Sequence, residues 1–393
     1  MNPNILSIEV QRYLQDNAVR SPAQVALKKS PFGDVSSAEL AEQVDTRQRL
    51  KTKLPHWISA DNIYFPPRQN AEQCSSEETA LYKAKLVGGT GAIDLTGGFG
   101  VDAWALSQRF EQVHYCEMNA QLFPIVEHNF TQLQRDNVLC HQGDALEILQ
   151  HSEKEKYDLI YLDPARRDEH NRKMVSFADC VPDVVANKNL LFNYSDKVML
   201  KASPMMDISL ALEELEGVKE VHVVALKNEC KELLFILEKG YEGEAEIKAV
   251  NLPSYSTFTF KRSKEKVVQA ITGMPQNYIY EPNSAILKAG AFNSISVQLG
   301  LKKLHTSTHI YSADEIISDF PGKAYRVLYD LEYNKKIIAR HIPDKKANIK
   351  TYNFSHSPEQ VKKKLGLKDG GDRYLFCVKT MNEKYRILIT EKI

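Results

Sequence analysis

The stretch "DLTGGFG" at residues 94–100 places an acid and a Thr ahead of glycines at 97, 98 and 100. Glycines so spaced leave a run of backbone without side chains, so a ligand can lie where any Cβ would collide with it. Three more acids follow: Glu117 in "VHYCEM", Asp144 in "GDAL" and Asp163 in "LDPARRD". Each closes or follows a short strand-like run, and ligands of open α/β sheets bind beyond such strand ends. A carboxylate at 117 can accept from both hydroxyls of a ribose, and one at 144 from an adenine amine. Met118 and Ala145, their next residues, belong to the same hollow. A single acid at a strand end is more often a turn or helix cap; four in register point to a nucleoside.

Three patterns compete for the turn. A dinucleotide fingerprint needs G-x-G-x-x-G, and Gly98 and Gly100 are followed by Ala103, which that form tolerates. A phosphate-cradling Walker loop needs a Lys-Ser/Thr pair that is missing. The third is D-x-G-x-G-x-G, with Thr96 at its first Gly, where bare backbone approaches a neutral sugar and a charged amino-acid tail.

Residues 89–243 supply the scaffold these positions need. "GAIDL", "VHYCEM" (113–118), "NVLCHQ", "YDLIYLD" (157–163) and "KVMLKAS" (197–203) read as strands. Helices are expected through 109, to about 130, over "DALEILQ" and through 216. "KEVHVVALK" and "CKELLFILEK" are separated only by Asn228-Glu229, and two residues can join only antiparallel neighbours. Five β-α units ending in a hairpin make an α/β doubly wound sheet with an antiparallel finish.

Residues 1–88 carry helical spacing, as in "ILSIEVQRYL" and "AELAEQVDTRQRL". "PHWISADNIYFPPRQ" (55–69), with three prolines, reads as an ordered loop. Ser75 with Glu78 three residues on makes a capping box for a helix to about 87. Beyond 244, "IKAVNL" and "STFTFKR" read as strands, and from near 320 strands and helices alternate in a compact α+β module.

The totals bound the function. Net charge is zero, yet residues 321–393 hold 17 Lys and Arg against 8 Asp and Glu, while the preceding 320 hold 34 against 43. A basic module on an acidic body fits a polyanionic partner, nucleic acid first, with a solvated lysine surface as the plainer account. Apolar runs such as "LLFIL" (233–237) are too short for a membrane span, and no signal peptide is evident. Six cysteines without a CxxC spacing fit reduced thiols of a cytoplasmic protein. His305 and His309 lack acidic or Cys neighbours in sequence, so no metal site is expected.

Five stretches carry a family likeness: "EQCSSEETALYKAKL", "DLTGGFGVD", "LDPARRD", "YEPNSAILKAGAF" and "KLGLKDGGDRYLF". Through them the chain resembles class I S-adenosylmethionine-dependent methyltransferases. More narrowly, it is similar over nearly its whole length to a bacterial group with a ferredoxin-like insert and a C-terminal THUMP-like domain. The likeness implies a Rossmann-like core, a seven-stranded sheet with an antiparallel last strand, at 89–243. An N-terminal helical region (1–88), a ferredoxin-like or linking domain (244–318) and a basic THUMP-like domain (319–393) would flank it. S-adenosylmethionine is the implied cofactor, held by Asp94, Thr96, Gly97, Gly98, Gly100, Glu117, Met118, Asp144, Ala145 and Asp163. THUMP domains accompany RNA-modifying enzymes, so the implied partner is structured RNA, ribosomal or transfer. The D-x-T-x-G-x-G form also resembles a ribosomal-RNA guanine N2-methyltransferase family, whose strand four ends in an aspartate-proline turn followed by different residues.

In amino-group methyltransferases the matching turn is Asp/Asn-Pro-Pro-aromatic: the acid and the first Pro carbonyl accept the amine hydrogens, and the aromatic stacks on the base. Asp163 and Pro164 fit the first two roles. Arg166 stands at the aromatic's place, where its plane can stack or its fork can bind guanine or phosphate. Pairing of Arg166 and Arg167 with Asp168 or Glu169 is the structural alternative. Carbon-5 uridine methylation would need a cysteine after the fifth strand; Ser203 stands there, so amine or oxygen acceptors remain. Gln73, Ser75 and Lys83 would overlie the mouth of the sheet, with Arg167 and Lys201 as further substrate contacts. A capped helix packed on the core accounts for the first three equally well. Competing functions are a non-catalytic RNA-binding protein that retains the nucleoside, and a protein or small-molecule methyltransferase.

Overall fold

A computed structural model describes residues 1–152, 156–166 and 176–393. They form two compact units, Met1–Lys219 with Leu233–Gly243, and Glu220–Glu232 with Glu244–Ile393. Among the described residues no helix is long and apolar enough to cross a membrane. The first unit opens with short helices, including Ile8–Asp16, Ser37–Leu50, Pro55–Ser59 and Arg68–Gln73. The segment 55–69, read from its prolines as an ordered loop, thus begins and ends in helix. Pro55 starts a helix, where its missing N–H costs nothing, and the Glu77 carboxylate accepts from the His56 and Trp57 N–H groups at 2.7 and 3.3 Å. That helix inserts Trp57, fully buried, 4.9 Å from the Phe99 ring and 6.2 Å from that of Trp104. The glycine turn therefore rests on a wall of aromatic packing.

The large sheet consists of β1 (Gly89–Asp94), β2 (Phe110–Glu117), β3 (Val138–Gln142), β4 (Leu159–Leu162), β5 (Lys197–Ala202), β6 (Val218–Leu226), β7 (Glu229–Glu238), β8 (Glu246–Leu252) and β9 (Ser256–Lys261). Their order is β3-β2-β1-β4-β5-β7-β6-β8-β9. The first seven follow the expected layout: β1 to β5 are parallel, and β7 runs antiparallel to β5. All four residues of β4 are buried, as a central parallel strand requires. The β6–β7 turn is Lys227-Asn228, one residue earlier than its sequence suggests. Both have positive φ (51° and 66°), the backbone that a two-residue hairpin with native twist demands. Two strands assigned from sequence to the following domain extend this sheet: β8 parallel to β6, and β9 antiparallel to β8.

The second unit also holds β10 (Tyr278–Pro282), β11 (Lys302–His305), β12 (Thr308–Ala313), β13 (Gly322–Glu332), β14 (Asn348–Tyr352), β15 (Arg373–Lys379) and β16 (Tyr385–Lys392). They form one sheet in the order β11-β12-β10-β13-β16-β15-β14. The division expected near 318 therefore falls inside a sheet, because β10 pairs directly with β13. Period-2 alternation divides its core. Leu375 and Cys377 pack with Ile338 and Val361 of the helices Lys335–His341 and Pro358–Leu365. Phe376 and Val378 face Ile279, Leu304 and Tyr325.

One element before β1 governs the site. The helix Glu77–Lys85 is capped by Ser76, whose Oγ accepts from the Thr79 N–H at 3.2 Å. The expected cap, Ser75, is left out of the helix, and its Oγ donates to Asp102 Oδ2 at 2.8 Å. Lys83, with 2% of its side chain exposed, places Nζ 3.1 Å from Asp102 Oδ1, and Tyr161 Oη donates to Asp102 Oδ2 at 3.0 Å. Burial alone would raise the Asp102 carboxyl; the ammonium charges of Lys83 and Lys201 outweigh it and hold the group below its ordinary value. Removing one partner of such a pair strands a buried charge. Lys83→Met should thus cost about 3–5 kcal/mol of stability, seen as a lowered urea midpoint, and Lys83→Met with Asp102→Leu should recover most of it.

Candidate active site

The glycine turn is built by packing at two positions and by openness at a third. A Cβ on Gly97 would sit 2.2 Å from the Tyr115 ring and 2.7 Å from the Cys116 carbonyl oxygen. On Gly100 (φ +77°) it would meet Val126 at 2.6 Å and Phe130 at 2.7 Å. At Gly98 (φ +53°) it would find nothing nearer than the Thr96 carbonyl oxygen at 3.8 Å. Of the three, Gly98 borders open space. Its N–H donates to Glu117 Oε2 at 2.9 Å, and its carbonyl accepts from Tyr115 Oη at 2.6 Å. Both polar groups of its peptide are thus held by β2.

Glu117 is therefore a brace for the turn as well as a strand-end acid. Its Oε1 accepts from the Asn119 N–H at 2.6 Å; burial pushes the carboxyl upward, and these backbone hydrogen bonds oppose the rise. Met118 beside it is 66% exposed, an apolar side chain left in the open. Asp144 caps the helix Ala145–His151, its Oδ1 accepting from the Leu146 and Glu147 N–H groups at 2.8 and 3.1 Å. That is the capping role of a lone strand-end acid, and Asp144 stays exposed while Ala145 is half-buried.

Asp94 lies under the turn with 1% exposure. Its Oδ1 accepts from the Thr96 N–H at 3.0 Å, whereas Oδ2 is buried without a hydrogen-bond partner among the described residues. Burial first, then the charges of Asp102, Asp163 and Glu117, push its carboxyl well above the ordinary range, against the Thr96 hydrogen bond. An orphaned buried carboxylate oxygen beside an open glycine is the feature a cationic ligand tail would satisfy.

Sheet register brings Asp163 to the same end. Asp94 pairs with Tyr161 and Leu162 with Leu200, which sets Asp163 beyond β1 and beside Lys201. The Asp163 N–H donates to Thr96 Oγ1 at 2.6 Å, and its carboxylate forms an ion pair with Lys201. Pro164 is half-buried. The backbone of Ala165 and Arg166 pairs with Val181 and Cys180 in a short antiparallel ladder. Glu214 anchors the return strand, accepting from Ser176 Oγ at 2.6 Å and the Phe177 N–H at 2.9 Å, while Phe177 is buried edge-on to Phe235. The Arg166 side chain, and Arg167 with Asp168 and Glu169, lie outside the described residues.

The structure thus brings Asp94, Thr96, Gly98, Glu117, Asp163 and Lys201 to one end of the sheet. Ser75 and Lys83 are turned inward to Asp102 and are not open to a substrate; Gln73, at the end of its helix, is exposed. Sequence reading passed over Tyr115, Asp102, Tyr161 and Glu214. For Asp102 a signal existed, an acid in the first turn after a glycine loop; the others sit in runs that read as ordinary strand or helix. His305 bonds Glu383 and His309 stacks on Phe292, and no metal-ligating cluster occurs among the described residues.

Residues 79–220 match the family model described as Conserved hypothetical protein 95, residues 278–321 a ferredoxin-like domain, and residues 322–392 a THUMP domain-like model. No curated protein sequence matches. Among solved structures, a protein of Porphyromonas gingivalis W83, provisionally described as a methyltransferase, shares 30% identity at a TM-score of 0.89, covering 100% of this chain and 99% of its own. A ribosomal-RNA methylase of Streptococcus thermophilus is 15% identical over 42% of this chain and 94% of its own, TM-score 0.30. The M. capricolum TrmK, solved with S-adenosyl-homocysteine, is 13% identical over 41% and 67%, TM-score 0.32. With the P. gingivalis likeness running from end to end, this chain belongs to the class I methyltransferase family that carries a ferredoxin-like insert and a C-terminal THUMP-like domain.

Proposed function

We propose that this protein transfers a methyl group from S-adenosylmethionine to a base amine, or an oxygen, of a structured RNA that its basic C-terminal domain docks. The observation that carries the reading is the open Gly98 with the orphaned Asp94 oxygen, at the strand end where Asp163 stands. When bound, the cofactor supplies an electrophilic methyl on a sulfonium. Asp94 Oδ2 would take its ammonium, Glu117 its ribose hydroxyls, and the bare backbone at Gly98 would let it lie close. Asp163 and the Pro164 carbonyl would accept the hydrogens of an acceptor amine, aiming the nitrogen lone pair for an in-line displacement. Lys201 holds the Asp163 carboxylate in place for that task.

The THUMP-like match and the charge of residues 321–393 support RNA as the substrate. Lys336 and Lys363, on the helices Lys335–His341 and Pro358–Leu365, are exposed cations of the kind that track phosphates.

Isothermal titration should show saturable S-adenosylhomocysteine binding. The carboxyl of Asp94 lies above its usual range, so at a given pH more of it is protonated, and an incoming ammonium must displace that proton. Affinity should then fall as pH is lowered, with proton release on binding. Asp94→Asn should remove the release and weaken binding about tenfold or more, as for a lost charged hydrogen bond.

Tritium transfer from labelled cofactor to unmodified total RNA should be detectable, and Asp163→Ala should reduce it about 100-fold or more. Lys336→Ala with Lys363→Ala should weaken RNA binding and make its salt dependence shallower by about two in log–log slope. A salt-independent affinity would remove the RNA reading.

A further inference from the structure

The family pattern has Gly where this chain has Thr96, and the hydroxyl sits between the two halves of the site. Thr96 Oγ1 accepts from the Asp163 N–H at 2.6 Å and lies 3.4 Å from Asp94 Oδ1, to which it donates. A hydroxyl can do both at once, with one proton to give and lone pairs to receive. Along the chain Asp94–Thr96–Asp163, a buried carboxylate is thereby joined to the backbone of the acceptor turn through one side chain. Glycine would leave the Asp163 N–H without this partner.

We infer that Thr96 is a positioning residue coupling occupation of the hollow at Gly98 and Asp94 to the placement of Asp163. The inference rests on the proposed reading of that hollow as the cofactor site. The physical cause lies in the unequal state of Asp94. Its Oδ1 is engaged by the Thr96 N–H and hydroxyl, while Oδ2 has no hydrogen-bond partner among the described residues. A cation at Oδ2 holds Asp94 as a carboxylate, which makes Oδ1 the stronger acceptor. The Thr96 proton is then committed to Asp94 and its lone pair to the Asp163 N–H, each bond polarising the next. The 3.4 Å contact between Thr96 Oγ1 and Asp94 Oδ1 is the longest and weakest step of the chain. The acceptor turn is independently fixed at its far end by the Ala165–Arg166 ladder. Thr96 therefore acts only on the Asp163 end, holding its amide while Lys201 pairs with its carboxylate.

The test uses the full-length protein, S-adenosylhomocysteine as the probe and hydrogen exchange at the Asp163 amide as the readout. In wild type, saturating probe should slow that exchange about tenfold, the equivalent of one hydrogen bond. Thr96→Val keeps the shape and removes the hydroxyl. It should bind the probe within about threefold of wild type yet show no added protection at Asp163, and Thr96→Ser should restore the protection. In methyl transfer, Thr96→Val should lower kcat about tenfold with little change in the KM for cofactor. If Thr96→Val keeps the protection, or loses probe binding while Thr96→Ser does not, Thr96 is no coupler. Should wild type bind no probe, the cofactor reading of the hollow falls and the coupling with it; binding with unaltered exchange at Asp163 overturns the coupling alone.

Discussion

A carboxylate withdrawn from water must be compensated, and this chain gathers two of them, Asp94 and Asp102, with the partly exposed Asp163, around one glycine turn. Each is met differently. Asp102 is answered within the core by Lys83, Ser75 and Tyr161. Asp163, partly exposed, is answered by Lys201 and by the hydroxyl that holds its amide. Asp94 is answered on one oxygen only. Of these three carboxylates, Asp94 alone keeps a buried oxygen with neither a hydrogen-bond nor an ion-pair partner among the described residues, and the proposed cationic ligand would meet it there.

Packing explains why the turn can hold this arrangement. Trp57, Phe99 and Trp104 form a wall on one side, Tyr115 and Phe130 another, and the strand ends of β1, β2 and β4 a third. Gly97 and Gly100 are where that packing leaves no room for a side chain, whereas Gly98 is where it leaves room for a ligand. The helix Glu77–Lys85 serves the site through charge, its Lys83 fixing Asp102 just after the turn. In the sheet of β10 to β16 apolar side chains pack on both faces, and the helices Lys335–His341 and Pro358–Leu365 carry cations such as Lys336 and Lys363 on their exposed positions.

Much of the fold was legible because its signals are local. Short apolar runs marked β1 to β7, and a two-residue gap between β6 and β7 allowed only a hairpin. Which sheet the later strands join was less legible. The strands β8 and β9 carry the same kind of pattern whichever sheet they join, and β10 pairs with β13 across a gap of some forty residues that no local pattern records. Pro55 misled for a related reason: proline breaks a helix in its interior and begins one at its first turn, and the difference lies in Glu77, more than twenty residues away.

At the site, the residue types alone determined that a nucleoside-sized ligand could meet bare backbone flanked by acids, because glycine spacing and strand-end carboxylates are written consecutively along the chain. Only the tertiary structure decided what each acid does. Asp144 caps a helix, Glu117 braces the turn, Asp102 is locked to Lys83, and Asp94 keeps one oxygen without a hydrogen-bond partner among the described residues. Ser75 and Lys83 were drawn inward by an acid that sequence reading had left as plain helix. The reason is physical: a carboxylate's role depends on its burial and on which donors reach it, and both are set by residues distant in the chain and adjacent only once it folds.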